Sequence, residues 1–307
     1  MFPDFLPEDV KLLRNSDSIF IAKNIKRYPI LTPLSDLAIA SACVKTGKQL
    51  PTILLLHGFD SSLLEFRSLI PLLASEHETW AVDLLGFGFT EHLPNLSYNP
   101  DTIREHLYYF WQHSIERPVI LVGASMGGAT AIDFTLNYPE AVQKLVLINS
   151  VGYSGSFPIG KLLFEPIDLL AVEFWRQRRI QSLFWGKNLG LLDSKTEDAI
   201  RCAVLPSFMP GWERAIADFT RSGGYYLLQD RISLVNKPTL ILWGERDDVV
   251  GTEAAYKFKD AIAGSTLVWL PGVGHVPHWE QPESVATPIL KFINSRSYQS
   301  PSNSSNV

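Results

Sequence analysis

From about residue 50 onward, short apolar runs alternate with longer stretches of helical period, and this alternation leaves the chain few architectures. The runs at 52–56 (TILLL), 79–83 (TWAVD), 119–122, 145–148, 238–243 (PTLILW) and 267–270 read as strands. Between and after them, 63–74, 101–114, 126–138, 253–263 and 283–294 read as helices. A strand that is apolar at consecutive positions needs cover on both faces, and only a helix-flanked parallel sheet gives that to a series of them. The expected fold is therefore α/β: a mostly parallel central sheet flanked by helices.

The alternation breaks at residues 152–232, which hold no convincing strand and many aromatics: Phe164, Phe174, Trp175, Phe184, Trp185, Phe208, Trp212, Tyr225 and Tyr226. This segment reads as a helical lid inserted between two strands of one sheet. Most of its aromatics are expected to pack within the lid or on the sheet, and the remainder to line a pocket. The organisation is then an N-terminal extension at 1–36, a core made of 37–151 and 233–294, the lid at 152–232, and a polar tail at 295–307 expected to be disordered.

Composition excludes several functions. The formal charge is −5 and no Lys or Arg run exceeds two, which argues against nucleic acid as a partner and against a polybasic membrane anchor. No apolar stretch reaches the ~18 residues of a membrane span. The first residues, Met1-Phe2-Pro3-Asp4, lack the features of a secretory signal, so a cytoplasmic location is expected. Cys43 and Cys202 are too few for a disulfide framework, match no metal spacing, and read as small buried apolar residues.

The chemistry concentrates in three loop tips. Gly123-Ala124-Ser125-Met126-Gly127 is a G-x-S-x-G that directly follows the strand at 119–122 and opens a helical pattern. A sharp strand-to-helix turn projects a serine above the sheet, requires small neighbours, and aims free helix N–H groups at any charge that develops there. A second tip, Trp243-Gly244-Glu245-Arg246-Asp247-Asp248, follows the strand at 238–243. A third, Gly272-Val273-Gly274-His275-Val276-Pro277-His278, follows the strand at 267–270.

With His57-Gly58-Phe59 after the strand at 52–56 and Asp83-Leu84-Leu85-Gly86-Phe87-Gly88 after the strand at 79–83, the sequence resembles the α/β-hydrolase superfamily, in its serine-nucleophile branch. The segments HGFDSSLLEFR and ETWAVDLLGFGFT are most similar to α/β-hydrolases of unassigned substrate from photosynthetic organisms. The resemblance implies Ser125 as nucleophile, Asp247 as acid and His275 as base, in the family's chain order. It implies the backbone N–H groups of Phe59 and Met126 as the oxyanion hole. His57 is expected to orient its loop, Asp83 to hold a turn, and His278 to be a neighbour of the pocket or a surface group. Asn149 stands where some family members carry the acid, and an amide lacks the charge to stabilise an imidazolium.

No cofactor and no metal are expected. The expected reaction is acyl transfer to water on a small, partly apolar substrate carrying an ester, thioester or lactone, which makes the chain a carboxylic ester hydrolase. One alternative is a meta-cleavage carbon–carbon hydrolase, which needs cationic lid groups for a carboxylate; Arg176, Arg178, Arg179 and Arg214 are the candidates. The other is a ligand-binding protein of the same fold with little turnover. The sequence assigns no oligomeric state.

Overall fold

The computed structural model describes residues 1–155, 158–188 and 192–295. Eight strands form one sheet: β1 (Lys26–Thr32), β2 (Ser35–Thr46), β3 (Ile53–Leu56), β4 (Thr79–Val82), β5 (Val119–Ala124), β6 (Val142–Ile148), β7 (Thr239–Gly244) and β8 (Thr266–Leu270). Their spatial order is β1-β2-β4-β3-β5-β6-β7-β8. Strands β3 to β8 run parallel, while β2 pairs antiparallel with β1 and with β4.

The expected parallel sheet is present, and its strands are apolar for the anticipated reason. Every residue of β3, β5 and β7 is buried, whereas the edge strand β8 is largely half-exposed. The sheet extends further than the sequence reading placed it. Residues 1–36, expected as an extension, contain α1 (Ser16–Asn24) and the edge strand β1, which pairs from Lys26↔Cys43 to Thr32↔Ser35.

Helices cover both faces: α2 (Leu69–Ala74), α3 (Pro100–Ser114), α4 (Met126–Asn137), and, after the insertion, α8 (Glu253–Ala261), α9 (Pro277–Glu280) and α10 (Pro282–Asn294). The helix expected at 63–74 is a 3-10 turn at Leu63–Phe66 followed by the short α2. Pro71 sits in the first turn of α2, where a missing N–H loses no helical bond. Asn99 caps α3 by accepting from the N–H groups of Asp101 and Thr102, and the Thr102 hydroxyl accepts from the N–H of Asn99 in return. Residues Met126 to Thr135 of α4 are all buried, so the helix that starts at the serine is held on every side.

Between β6 and β7 the described residues form α5 (Ile167–Asn188), α6 (Ser194–Val204), α7 (Trp212–Ser222) and 3-10 turns, with no strand. Residues 156–157 and 189–191 of the expected lid, and 296–307 of the expected tail, lie outside the described residues. Parallel strands end on the same edge of a sheet, and ligands of such sheets bind in the crevice beyond those carboxyl ends. Here that edge carries the loops after β3, β5, β6, β7 and β8, which hold Gly58, Ser125, Asn149, Asp247 and His275.

Candidate active site

Ser125 lies between the last residue of β5 and the first of α4, with φ 52° and ψ −119°. A non-glycine residue in that region is strained, and such strain is kept where a side chain must be projected from a tight turn. The turn closes only because its neighbours lack side chains. A Cβ on Gly123 would lie 2.2 Å from the carbonyl oxygen of Gly127, and one on Gly127 would lie 2.0 Å from that of Leu56. The N–H groups of Ser125 and Val151 bond to the carbonyls of Ile148 and Ser125, at 2.9 and 3.0 Å, which ties the elbow to β6.

The three loop tips meet. His275 Nε2 is 3.0 Å from Ser125 Oγ, and His275 Nδ1 is 3.1 and 3.0 Å from Asp247 Oδ1 and Oδ2. The carboxylate can only accept, so the shared proton sits on Nδ1 and leaves Nε2 free to accept from the serine hydroxyl. Asp247 Oδ1 also accepts the N–H groups of Val249 and Val250, at 2.9 and 3.1 Å. Burial alone would raise the pKa of Asp247. Hydrogen bonds from His275, Asn149 and Val250 more than offset that and hold the carboxyl below its ordinary range. Its acidic neighbours Glu245 and Asp248 are exposed.

Phe59 and Met126, expected as oxyanion donors, both line the cavity at Ser125. A Cβ on Gly58 would lie 3.4 Å from Ser125 Cβ, which puts the His57-Gly58-Phe59 loop directly beside Ser125. Met126 is the first residue of α4, where backbone N–H groups have no partner within the helix. His57 is fully buried; its Nε2 accepts the N–H of Leu84 at 3.0 Å and its Nδ1 is 2.8 Å from the carbonyl oxygen of Gly58. Nδ1–H therefore donates to Gly58, and burial pushes the pKa of His57 down, so it stays neutral. With Nε2 already occupied, the carboxylate of Asp83 at 3.7 Å forms no ion pair with it. Asp83 accepts the N–H groups of Leu63 and Phe89, at 2.5 and 2.7 Å, and burial raises its pKa to about 7.

The sequence reading names neither Glu65 nor Glu280, and it expects His278 as a neighbour of the pocket or a surface group. The Glu65 carboxylate accepts the N–H of Gly58 at 3.2 Å, and Glu280 accepts that of Gly274 at 3.0 Å, so each fixes the loop carrying a site residue. His278 is buried in the cavity wall, with Nε2 3.4 Å from Glu65. Asn149, considered only as a missing carboxylate, donates to Asp247 Oδ2 at 2.5 Å and accepts the N–H of Gly244 at 3.1 Å. No hydropathy pattern announces these groups, because each acts through a specific polar contact, and for Asn149 that contact lies 98 residues away in sequence. Asn149→Ala is expected to lower kcat/KM about ten- to hundredfold, the range for losing a hydrogen bond to a charged group. Because Asp247 loses a donor, loss of activity on the acid side should begin at a higher pH. An unchanged pH–rate profile would show that Asn149 does not position the acid.

The cavity holds about 490 Å³ and is walled both by the loops at the end of the sheet and by residues between β6 and β7. Phe59 packs at 5.8 Å from Phe219 of α7 and at 5.8 Å from Phe87, so an aromatic trio joins the Phe59 loop to α7. Of the aromatics expected in the lid, Tyr225 lines the cavity, its hydroxyl 2.9 Å from that of Thr130, and Trp212 is buried. The expectation that most would pack inward is corrected: Phe164, Phe174, Trp175, Phe184, Trp185 and Phe208 are exposed. Among the four candidate arginines only Arg179 reaches the cavity. It pairs with Asp60 and donates to the carbonyl of Ala203 at 2.7 Å.

Residues 53–287 match the family model described as the alpha/beta hydrolase family. The chain belongs to that family. This hydrolase is 35% identical over 97% of its length to the alpha/beta hydrolase domain-containing protein VTE7 of Arabidopsis thaliana, covering 92% of that protein. It is 30% identical over 82% of its length to the 2-hydroxy-6-oxo-6-(2'-aminophenyl)hexa-2,4-dienoic acid hydrolase of Metapseudomonas resinovorans, covering 87% of that protein. Among solved structures, a thermophilic esterase from Thermogutta terrifontis shares the fold with a TM-score of 0.72 and 24% identity, over 88% of the hydrolase and 100% of the esterase. No described helix of the hydrolase is long and apolar enough to cross a membrane.

Proposed function

We propose that this hydrolase cleaves an ester-like bond, in an ester, thioester or lactone, through an acyl-enzyme on Ser125. The observation that carries the reading is the unbroken hydrogen-bond chain from Ser125 Oγ through His275 to Asp247 at the wall of a single cavity. His275 Nε2 takes the serine proton as Oγ attacks the carbonyl carbon, and Asp247 stabilises the resulting imidazolium. The N–H groups of Phe59 and Met126 receive the oxyanion, the arrangement that contributes most when donors are fixed in advance. His275 then protonates the leaving group, and water, deprotonated by the same nitrogen, releases the acid. Residues 152–232 act as the lid, closing the cavity with Phe219 and Tyr225 and favouring a substrate with an apolar part.

Carbon–carbon bond hydrolysis is the second reading. What favours it is the relative that acts on a dienoic acid, together with Arg179 in the cavity wall. Against it, Arg179 is already matched by Asp60 and Ala203, so its charge is committed before any substrate carboxylate arrives. A panel of p-nitrophenyl esters of graded chain length, run beside a meta-cleavage dienoic acid, separates the two. The ester reading expects turnover of esters and at most a small change in KM for them on Arg179→Ala. Turnover confined to the dienoic acid, with KM for it raised by Arg179→Ala, would replace the ester reading by the second one.

A further inference from the structure

Gly58, Phe59 and Asp60 follow one another in the loop after β3, and each is held by a different part of the molecule. Both carboxylate oxygens of Glu65 lie 3.2 Å from the N of Gly58. The ring of Phe59 packs 5.8 Å from that of Phe219 on α7. Asp60 takes φ 49°, a left-handed conformation that a residue with a side chain keeps when its surroundings impose it. Arg179 of α5 is placed to impose it. Its Nη1 pairs with the Asp60 carboxylate and also donates to the Asp60 carbonyl oxygen at 3.3 Å, while Nη2 donates to the carbonyl of Ala203 on α6 at 2.7 Å. A planar guanidinium that grips main chain and side chain of one residue fixes direction as well as distance.

Arg179 is itself anchored. The buried Asp198 of α6 accepts the N–H groups of Arg14 and Asn15 at 2.7 and 3.2 Å, so the helix that receives Nη2 is tied to the N-terminal segment. Burial pushes the Asp60 carboxyl up, and the Arg179 guanidinium opposes that shift. Both side chains line the cavity, where water screens an ion pair less than at an open surface. The consequence falls on the peptide that joins Gly58 to Phe59. Its N–H is the one proposed to receive the oxyanion, and such a donor contributes most when its direction is set before charge develops. Glu65 clamps the chain just before this peptide and Arg179 clamps it just after. The second clamp comes from the insertion between β6 and β7.

We propose that Arg179 is a positioning residue: through Asp60 it sets the direction of the Phe59 N–H, so the oxyanion site is complete only when the insertion is docked on the core. The proposal rests on the acyl-enzyme reading of Ser125 and adds a part to that reaction. The full chain is assayed with p-nitrophenyl butyrate and for inhibition by benzeneboronic acid, which adds to a serine oxygen and places a boron-bound oxygen where the oxyanion forms. Arg179→Ala is expected to lower kcat about 10- to 100-fold with KM changed less than about threefold. It should raise the Ki of benzeneboronic acid by the factor that kcat loses. Asp60→Asn should lower kcat by a smaller factor and add nothing to Arg179→Ala, because both act through one contact. Arg179→Lys pairs with Asp60 without the fork to Ala203, so it should recover part of kcat; it also serves if alanine disturbs folding, which thermal melting by circular dichroism reports. Three results would overturn the proposal: kcat unchanged in Arg179→Ala, losses that multiply in the double variant, or a raised KM with kcat retained, which would make Arg179 a substrate contact. A wild type that turns over no ester yet binds benzeneboronic acid more tightly than Arg179→Ala does would sink the ester reading and support the positioning role. One that does neither sinks both.

Discussion

Ser125→Ala is expected to give a folded protein that is not labelled by a fluorophosphonate and whose kcat/KM falls by about 10⁴-fold or more. The elbow conformation at φ 52° is maintained by its surroundings, namely the buried α4, Gly123, Gly127 and the bonds to β6, and alanine leaves all of these in place. What disappears is the oxygen 3.0 Å from His275 Nε2. The residual rate would come from the oxyanion donors acting on a water molecule. Retained turnover in this variant would mean that another group attacks, and the acyl-enzyme reading would fall with it.

The second large effect separates two adjacent aspartates. Asp247→Asn should lower kcat/KM by about 10⁴-fold, because an amide facing Nδ1 either presents a donor to a donor or forces the tautomer that no longer accepts the serine proton. Asp248→Asn should stay close to wild type, since Asp248 is exposed and outside the hydrogen-bond chain. The stability of the two variants should also differ with pH. The carboxyl of Asp247 is held below its ordinary pKa, so its bonds contribute fully above the unfolded value and are lost as pH falls through the folded one. Asp247→Asn should therefore flatten the acid side of the Tm profile and Asp248→Asn should not. If the two variants exchange behaviours in turnover, the acid has been misassigned.

Much of this architecture is legible in the sequence because parallel strands are buried on both faces, and that condition writes itself as unbroken runs such as Ile53–Leu56 and Thr239–Gly244. Each run ends at the same edge of the sheet, so the tips that follow become neighbours once the parallel order is assumed. The edge hairpin is less legible. In β1 the run from Lys26 to Thr32 includes Pro29 and an exposed Leu31, and its burial alternates only at the end. Without a buried face on both sides, composition and turn signals there resemble a loop.

The supporting groups of the site are illegible for a different reason. Glu65 reaches Gly58 across seven residues, but Asn149 reaches Asp247 across 98, and only the folded sheet brings β6 and β7 together. The insertion between β6 and β7 shows the limit of hydropathy in its plainest form. Aromatic residues at helical spacing say that a face is apolar, and they do not say whether it turns toward the core or away from it. In α5 the inward side carries Leu169 and Val172 together with Asp168 and Arg179, and the exposed aromatics lie away from it.

The most direct test is to map the adduct itself. The full chain is treated with a fluorophosphonate, digested, and sequenced by tandem mass spectrometry. The phosphonyl group is predicted on Ser125 alone, with the yield greatly reduced in His275→Ala. An adduct on another residue, or none on correctly folded protein, would contradict the claim that this serine is activated by that histidine.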